Sequence, residues 1–71
     1  MIRYSDHAIE RMAERGITEE DVGWALRRRQ RSSPGSPGTI WVYGYARGRL
    51  LKVNVNTDDQ EYVRTVAWAG G

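Results

Sequence analysis

The one histidine of this chain, His7, lies in the stretch SDHAIERMAERGITEEDV near the N-terminus. The ordinary pKa of histidine is close to neutrality, so its ring can take up and release a proton at physiological pH. Arg11 and Arg15 follow at intervals of four residues, which on a helix places all three on one side. Metal-independent RNA cleavage needs an acid/base for proton transfer and cations for the charge that builds up around phosphorus. His7 is therefore a candidate acid/base and Arg11 a candidate catalytic cation.

A solvent-facing helix without a function would show the same residues. Glu10 and Glu14 lie among the basic residues, and such alternation is typical of salt bridges on an exposed helix. The residues that other kinds of functional site need are missing from this sequence. With no cysteine and one histidine a zinc site has no ligand set, and no glycine-rich phosphate loop precedes a helix. The acids at residues 19–21 would repel DNA from a helix-turn-helix. We predict neither a metal nor a cofactor.

Positive charge is concentrated in the middle of the chain. Residues 27–57 carry six arginines and one lysine without an acid, a net charge of +7. Residues 1–26, with three arginines against six acids, and residues 58–71, with one against three, have net charges of −3 and −2. A basic segment favours an anionic partner, most commonly a phosphate backbone. The candidate RNA-binding cations here are Arg27, Arg28 and Arg31, and the alternative is a solvated basic hairpin.

Two amphipathic helices are predicted before residue 30. The first spans residues 6–15, with Ser5 or Asp6 as its N-cap and Gly16 just past its end. Its apolar side contains Ala8, Ile9, Met12 and Ala13. In the second helix, Thr18 is the N-cap and forms a capping-box-like pair with Asp21. Its inward side contains Val22, Ala25, Leu26 and Arg29, while Trp24 lies on the opposite flank near Arg27 and Arg28.

Three antiparallel strands are predicted after a flexible loop at residues 30–39, which is rich in proline, glycine and serine. The strands cover residues 39–46, 49–56 and 62–69, and residues 1–5 form a short N-terminal strand. A two-residue turn at Arg47 and Gly48 sets the first register. The expected pairs are Ala46 with Arg49, Tyr43 with Lys52, Val42 with Val53, Ile40 with Val55, Val55 with Val63, and Asn54 with Arg64.

This register sorts the strand residues onto two faces. The aliphatic face, which the helices should cover, contains Ile40, Val42, Leu51, Val53, Val55, Val63, Thr65 and Ala67. The opposite face contains Trp41, Tyr43, Tyr45, Leu50, Lys52, Asn54, Tyr62, Arg64, Val66 and Trp68. Aromatic rings beside cations suit base stacking and phosphate binding. The alternative is that these aromatics form the core or a homodimer interface, with Lys52 and Arg64 at its edge.

The length and composition limit the class of protein. A chain of 71 residues buries only about 60% of its unfolded surface, so we predict a single small α+β domain over residues 1–71. No disulfide is available, and no apolar run approaches the ~20 residues of a membrane span. We expect a soluble, unprocessed cytoplasmic protein with no membrane partner.

The stretch from Ser5 to Ile17 resembles the N-terminal motif of a bacterial family of small uncharacterised domains, Ser-x-His-Ala-x-x-Arg-Met-x-x-Arg-Gly-Ile. The segments LLKVNVN and RTVAW are similar to that family's central and last strands. The resemblance covers the chain except residues 30–38. It implies a short strand, two helices and three antiparallel strands, similar to the RelE/ParE-type toxin fold and its ribonuclease relatives.

These observations together predict a toxin-like, RNA-binding α+β domain, with metal-independent RNA cleavage as its candidate activity. The predicted catalytic residues are His7, Arg11 and Lys52. The predicted nucleic-acid-binding residues are Arg15, Arg27, Arg28, Arg31, Trp41, Tyr43, Tyr45 and Arg64. The expected partners are RNA and an antitoxin-like protein. The alternative is a non-catalytic module that uses its aromatic face to bind a partner or to form a homodimer.

Overall fold

The computed structural model describes residues 1–70, which form two helices and one five-stranded sheet. The elements are β1 (Arg3–Tyr4), α1 (Asp6–Arg15), α2 (Glu19–Arg27), β2 (Arg29–Pro34), β3 (Thr39–Ala46), β4 (Arg49–Asn56) and β5 (Asp59–Trp68). The strand order is β1-β5-β4-β3-β2, with β1 parallel to β5 and the other pairs antiparallel. The α+β class holds, but the predicted three-stranded antiparallel sheet was wrong, because the sheet has five strands and is mixed.

The two strands beyond the predicted three-stranded sheet lie at its edges: β1 lies within the short N-terminal strand predicted at residues 1–5, and β2 was not predicted. β2 occupies much of the predicted loop and pairs with β3, Ser32 opposite Val42 and Pro34 opposite Ile40. Proline is tolerated there because it ends an edge strand and need not donate a hydrogen bond to a second neighbour. Only residues 35–38 are left as a tight turn between β2 and β3. The flexible loop at residues 30–39 was therefore a wrong prediction over its first half.

The helix ends follow the predicted capping chemistry. The Ser5 hydroxyl accepts a hydrogen bond from the Ala8 N–H, and Gly16 takes the left-handed conformation, φ 65°, past the end of α1. In α2, Thr18 and Asp21 form the reciprocal capping box. Three details of the predicted helix sides were wrong. Ile9 is 56% exposed and Ala13 is also exposed, because α1 packs on β5 along only one stripe. Arg29 begins β2 and is not part of α2.

The core lies between the two helices and one face of the sheet. Its fully buried side chains come mostly from β3, β4 and β5: Val42, Leu51, Val53, Val55, Val63 and Val66, with Val22 from α2. α2 approaches β3 so closely that a Cβ placed at Gly44 would overlap the backbone of Ala25. The absence of a side chain at Gly44 therefore sets the distance between this helix and the sheet.

The register between β3 and β4 is confirmed at every predicted pair, from Ala46 opposite Arg49 to Ile40 opposite Val55. Between β4 and β5 the predicted pair of Val55 and Val63 is present, but Asn54 faces Thr65 and not Arg64. A β-bulge at this point adds one residue to β5. Because side chains alternate along a strand, one extra residue reverses the faces of everything beyond it.

The bulge corrects the predicted faces of β5. Val66 and Trp68, expected opposite the helices, lie on the helix side, where Val66 is fully buried and Trp68 packs against the core. Thr65 and Ala67, expected in the core, pair with Asn54 and Lys52 on the open side. We call this helix-free side the outer face; its residues are Arg31, Ser33, Trp41, Tyr43, Tyr45, Leu50, Lys52, Asn54, Tyr62, Thr65 and Ala67.

One buried carboxylate joins the helices to the β3–β4 hairpin. Asp21, 3% exposed, accepts hydrogen bonds from Nε and Nη2 of Arg47 at 3.0 and 2.7 Å, and Arg47 also donates to the Gly16 carbonyl at 2.8 Å. Burial alone would raise the pKa of Asp21, but hydrogen bonds from Thr18 and Arg47 outweigh it and lower that pKa. Arg47 has φ 51°, a left-handed conformation that costs a non-glycine residue energy.

Replacing Asp21 with asparagine removes the charge that Arg47 and the capping box bind. We expect Asp21→Asn to lower the free energy of unfolding at pH 7 by about 2–3 kcal/mol, measured by urea denaturation. Glu20→Gln, at an exposed neighbouring position, is the matched control and should change it by less than about 0.5 kcal/mol.

Wild type and Asp21→Asn also test how the stability that Asp21 provides depends on pH. The pKa of Asp21 is lower in the folded state than its unfolded value of 3.8. The contribution of Asp21 to the free energy of unfolding is therefore complete above pH 3.8 and is lost as the pH falls through the folded-state pKa. The stability gap between wild type and Asp21→Asn should therefore narrow in acid. A gap that stayed constant from pH 7 to strongly acidic solution would contradict this assignment.

A methyl group at Gly44 tests the close approach of α2 to β3. We expect Gly44→Ala to cost about 3 kcal/mol, at the upper end for overpacking, because the group it would strike is backbone and cannot rotate away. Gly70→Ala, where a Cβ meets open space, is the control. Equal stability of the two variants in urea denaturation would show that the helix position is not set by Gly44.

Candidate functional site

A cleft of about 490 Å³ opens where the N-terminus of α1 meets the outer face of the sheet. It is lined by Ser5, His7, Ser36, Trp41, Asn54, Tyr62, Arg64 and Thr65. The wall contains the chain's one histidine, an arginine, two aromatic rings and several hydroxyl and amide groups. The helix end and the aromatic face, which the sequence could place only separately, therefore share one cleft.

Ser5 positions His7 at the edge of this cleft. Its backbone N–H donates to the Val63 carbonyl at 2.9 Å, and its hydroxyl donates to the Arg64 carbonyl at 2.8 Å. The same hydroxyl accepts the Ala8 N–H at 3.0 Å as the N-cap of α1. The first turn of the helix is thereby attached to β5, and His7, two residues after the cap, faces the cleft.

The bulge in β5 positions Arg64. As the extra residue between the pairs of Val63 and Thr65, Arg64 leaves the regular alternation and its side chain reaches the cleft. Its Nη1 donates to the Asn56 side-chain oxygen at 3.3 Å. Bulges commonly redirect a side chain in this way near functional sites. The guanidinium is exposed and pairs with no carboxylate within residues 1–70, so it is available to an anion.

The floor of the cleft is a small polar network. Asn54, 6% exposed, donates to the Thr39 hydroxyl and to the Ile40 carbonyl, each at 3.3 Å. Thr39 in turn donates to the Ser36 carbonyl at 2.9 Å. These bonds tie the β2–β3 turn to the middle of the sheet. The segment predicted as a flexible loop therefore supplies one wall of the cleft through Ser36.

Aromatic side chains extend the cleft along β3. Trp41 lines it, and Tyr43 and Tyr45 follow at every second residue on the same face. A cation accompanies the first two rings: the Lys52 ammonium lies 4.8 Å from the centroid of Trp41, and the Arg31 guanidinium 4.5 Å from that of Tyr43. Lys52 is thus on the predicted face but beside the cleft, not in its wall. Tyr45 is 52% exposed.

The two α1 arginines do not join His7 in the cleft. Arg11 forms an ion pair with Glu14 at 2.6 Å on the surface of the helix. Arg15 donates to the Val66 carbonyl at 3.2 Å, and its own carbonyl accepts the Trp68 indole N–H at 3.0 Å. The helix runs away from the cleft after its first turn, so Arg11 and Arg15 lie outside the cleft. The cation that meets His7 in the cleft is Arg64.

Arg27 and Arg28 lie outside the cleft, Arg28 at the other end of the sheet and Arg27 on the helix side beside Gln60 and Glu61. Their guanidinium carbons are 5.0 and 4.3 Å from the centroid of Trp24, which is 38% exposed as its predicted position on the helix implied. Arg28 and Trp24 line a separate, smaller cleft together with Tyr45 and Arg47. The basic residues in the middle of the chain are therefore spread over several places on the surface.

Sequence reasoning did not find five residues of the cleft wall as site residues. Ser5 was assigned only to capping, Ser36 only to the flexible loop, and Tyr62 and Asn54 only to a face of the sheet. Thr65 was assigned to the wrong face because the bulge has no sequence signal. The spacing of Ser5 and His7 was the one available indication, since an N-cap serine fixes the direction in which a residue two positions later points.

The arrangement supplies the groups for acid/base chemistry on a phosphate ester. An imidazole and a guanidinium line one cleft, a phenol lies beside them, and an indole is available for stacking. Within residues 1–70 no three histidine, aspartate or glutamate side chains come together as a metal site would require. No helix in the same residues is long and apolar enough to cross a membrane.

Comparison with known families gives one match. Residues 4–68 match the family model described as Domain of unknown function (DUF4258). The match includes both helices, strands β2 to β5, the second residue of β1 and every residue of the cleft wall. No match was found among curated proteins or among solved structures.

Removing the Ser5 hydroxyl tests how His7 is positioned. We expect Ser5→Ala to lower the free energy of unfolding by about 1–2 kcal/mol, because the helix loses its cap and its attachment to β5. The ring resonances of His7 should shift in NMR spectra. Ser5→Thr, which keeps a hydroxyl, should restore both properties, and Ser32→Ala on exposed β2 should change neither. Unchanged His7 resonances in Ser5→Ala would contradict the positioning role.

Proposed function

We propose that this chain, which belongs to the DUF4258 family, is a toxin-like domain that binds RNA and cleaves it without a metal. The observation that carries the proposal is the common cleft of His7, Arg64 and Trp41. A proton-transfer group, a free cation and an aromatic ring are what a ribonuclease places around one nucleotide. An exposed helix whose histidine had only a solubilising role would not need to face such a cleft.

His7 acts as the general base in the proposed reaction. It takes the proton of a ribose 2′-hydroxyl, whose oxygen attacks the neighbouring phosphorus. The bond from phosphorus to the 5′-oxygen breaks, and that oxygen takes up a proton from the Tyr62 hydroxyl on the cleft wall. The products are a 2′,3′-cyclic phosphate and a 5′-hydroxyl. Water returns the proton to Tyr62 and removes the one on His7.

Arg64 stabilises the charge on the phosphate during this reaction. Its guanidinium lies in the cleft wall, whereas Arg11 is paired with Glu14 and Lys52 lies over Trp41. Charge stabilisation works best from a donor already held near the developing charge. We therefore assign Arg64 the role that the sequence suggested for Arg11. Lys52 and Arg31 attract the RNA backbone, and Trp41 and Tyr43 stack its bases.

The toxin-like part of the proposal rests on the resemblance of the Ser5–Ile17 motif to a bacterial family of small uncharacterised domains, whose implied order of elements is similar to that of RelE/ParE-type toxins. A cytoplasmic location in a bacterium and an antitoxin-like partner go with it. A partner that covered the cleft would inhibit the enzyme by excluding RNA. The outer face is basic and carries no carboxylate among its residues, so an acidic partner segment would suit it.

Substitution of His7 tests the activity. We expect His7→Gln to lower the rate of RNA cleavage by about 10²–10⁴-fold while RNA binding stays within about twofold of wild type. Cleavage is followed by electrophoresis in EDTA, and binding with RNA whose 2′-hydroxyls are methylated so that it cannot react. Glu10→Gln, exposed on the same helix, is the control and should cleave normally.

Two results would overturn the proposal. Cleavage at the wild-type rate by His7→Gln would remove the catalytic role of the histidine. A stable dimer in sedimentation that binds no RNA at any salt concentration would favour the alternative, a module that uses the outer face to pair with a second copy. RNA binding that weakens steeply with salt is the result expected for a phosphate-contacting surface.

A further inference from the structure

A second cleft lies at the opposite end of β3 from His7. Its volume is about 380 Å³, and its lining includes Trp24, Arg28, Gln30, Tyr45 and Arg47. Tyr45 belongs to the outer face, while Trp24 and Arg28 reach around the end of the sheet from α2. The function proposed above makes no use of this cleft.

The two guanidinium groups in this cleft are held in place before any ligand binds. That of Arg28 lies 4.3 Å from the centroid of Trp24, and that of Arg47 is bonded to Asp21. The charge of Arg47 is largely neutralised by this carboxylate. Arg28 has no acidic partner among residues 1–70, so it is the cation of the cleft that is free for an anion. An ordered cation beside an exposed ring suits a phosphate and its base.

A continuous row of aromatic rings connects the two clefts. Trp41, Tyr43 and Tyr45 occupy alternate positions of β3, so Cα atoms of successive members are about 6.6 Å apart and the row spans about 13 Å. The middle ring has its own cation in Arg31. Sheets that bind single-stranded RNA stack two or three bases on their aromatic side chains. Residues 22–57 contain no acid that would repel the backbone along the row.

We infer that the second cleft is a distal nucleotide subsite, and that the substrate is single-stranded RNA of at least three nucleotides lying along β3. This inference rests on the proposed function and specifies its substrate. The base next to the cleaved bond stacks on Trp41, the next on Tyr43 and the third on Tyr45, where Arg28 binds its phosphate. Paired bases cannot stack on the row, so double-stranded RNA is excluded.

Binding of 2′-O-methylated oligouridines of one to five nucleotides, measured by fluorescence anisotropy, tests the subsite. We expect the affinity of the wild-type protein to rise roughly fivefold or more with each nucleotide up to three and to level off beyond that length. Tyr45→Val should lower the affinity for the trinucleotide at least about fivefold. The same variant should lower the affinity for the dinucleotide by less than about twofold, because a dinucleotide can still stack on Trp41 and Tyr43.

Arg28 has a matched control in the adjacent arginine. Arg28→Gln should weaken trinucleotide binding and reduce the slope of log affinity against log salt by about one. Arg29→Gln removes the same charge, but that guanidinium bonds Gln60 and the Leu26 carbonyl on the helix side, so it should leave the slope unchanged. Thermal unfolding of each variant checks that it is folded.

The outcomes separate this inference from the proposal on which it rests. If affinity levels off at two nucleotides, or if Arg28→Gln and Arg29→Gln behave alike, the distal subsite is wrong while RNA binding at the first cleft stands. Tight binding of duplex RNA would also overturn it, since the row requires unpaired bases. If the wild-type protein binds no oligonucleotide of any length, both proposals fail.

Discussion

The bond between the Asp21 carboxylate and the Arg47 guanidinium holds the two halves of this small domain together. Asp21 closes the capping box of α2, and Arg47 reaches it from the β3–β4 turn while also bonding the Gly16 carbonyl that ends α1. One ion pair therefore joins both helix ends to the central hairpin. A chain of this size has no disulfide and a small core, so hydrogen bonds to one buried carboxylate replace packing that a larger domain would supply.

This bond also accounts for an unfavourable backbone conformation. Arg47 and Gly48 both have positive φ, which fits the tight turn that the right-handed twist of a hairpin prefers. Asparagine or glycine is the usual residue at the first of these positions. Arginine is accepted here because the turn points its side chain at Asp21, and three hydrogen bonds offset the strain. The same side chain packs over Trp68 at the end of β5, 5.6 Å from the ring centroid.

At the other end of the sheet, the candidate site depends on an irregularity. The bulge in β5 frees the Arg64 side chain for the cleft and presents the Arg64 carbonyl to Ser5, and Ser5 in turn orients the first turn of α1. His7 and Arg64 thus reach the cleft through a serine hydroxyl and one extra residue in a strand. The proposed ribonuclease chemistry uses the difference between the two ends of β3. One end of β3 carries the proton-transfer groups, and the rest of the strand carries rings and cations suited to holding a single strand.

The sequence by itself determined those features that arise between near neighbours. Capping residues defined both helices, the Arg47–Gly48 turn defined the β3–β4 register, and strand alternation placed Trp41, Tyr43 and Tyr45 on one face. Pairing between distant segments was decided only by the tertiary structure. Strand β2 has a loop-like composition and is a strand because it pairs with the edge of β3. Strand β1 is only two residues long, and its place in the sheet comes from pairing with β5. The bulge leaves no mark in the sequence, because it is a mismatch between two strands and belongs to neither alone. It brought the Arg64 side chain into the cleft that His7 lines.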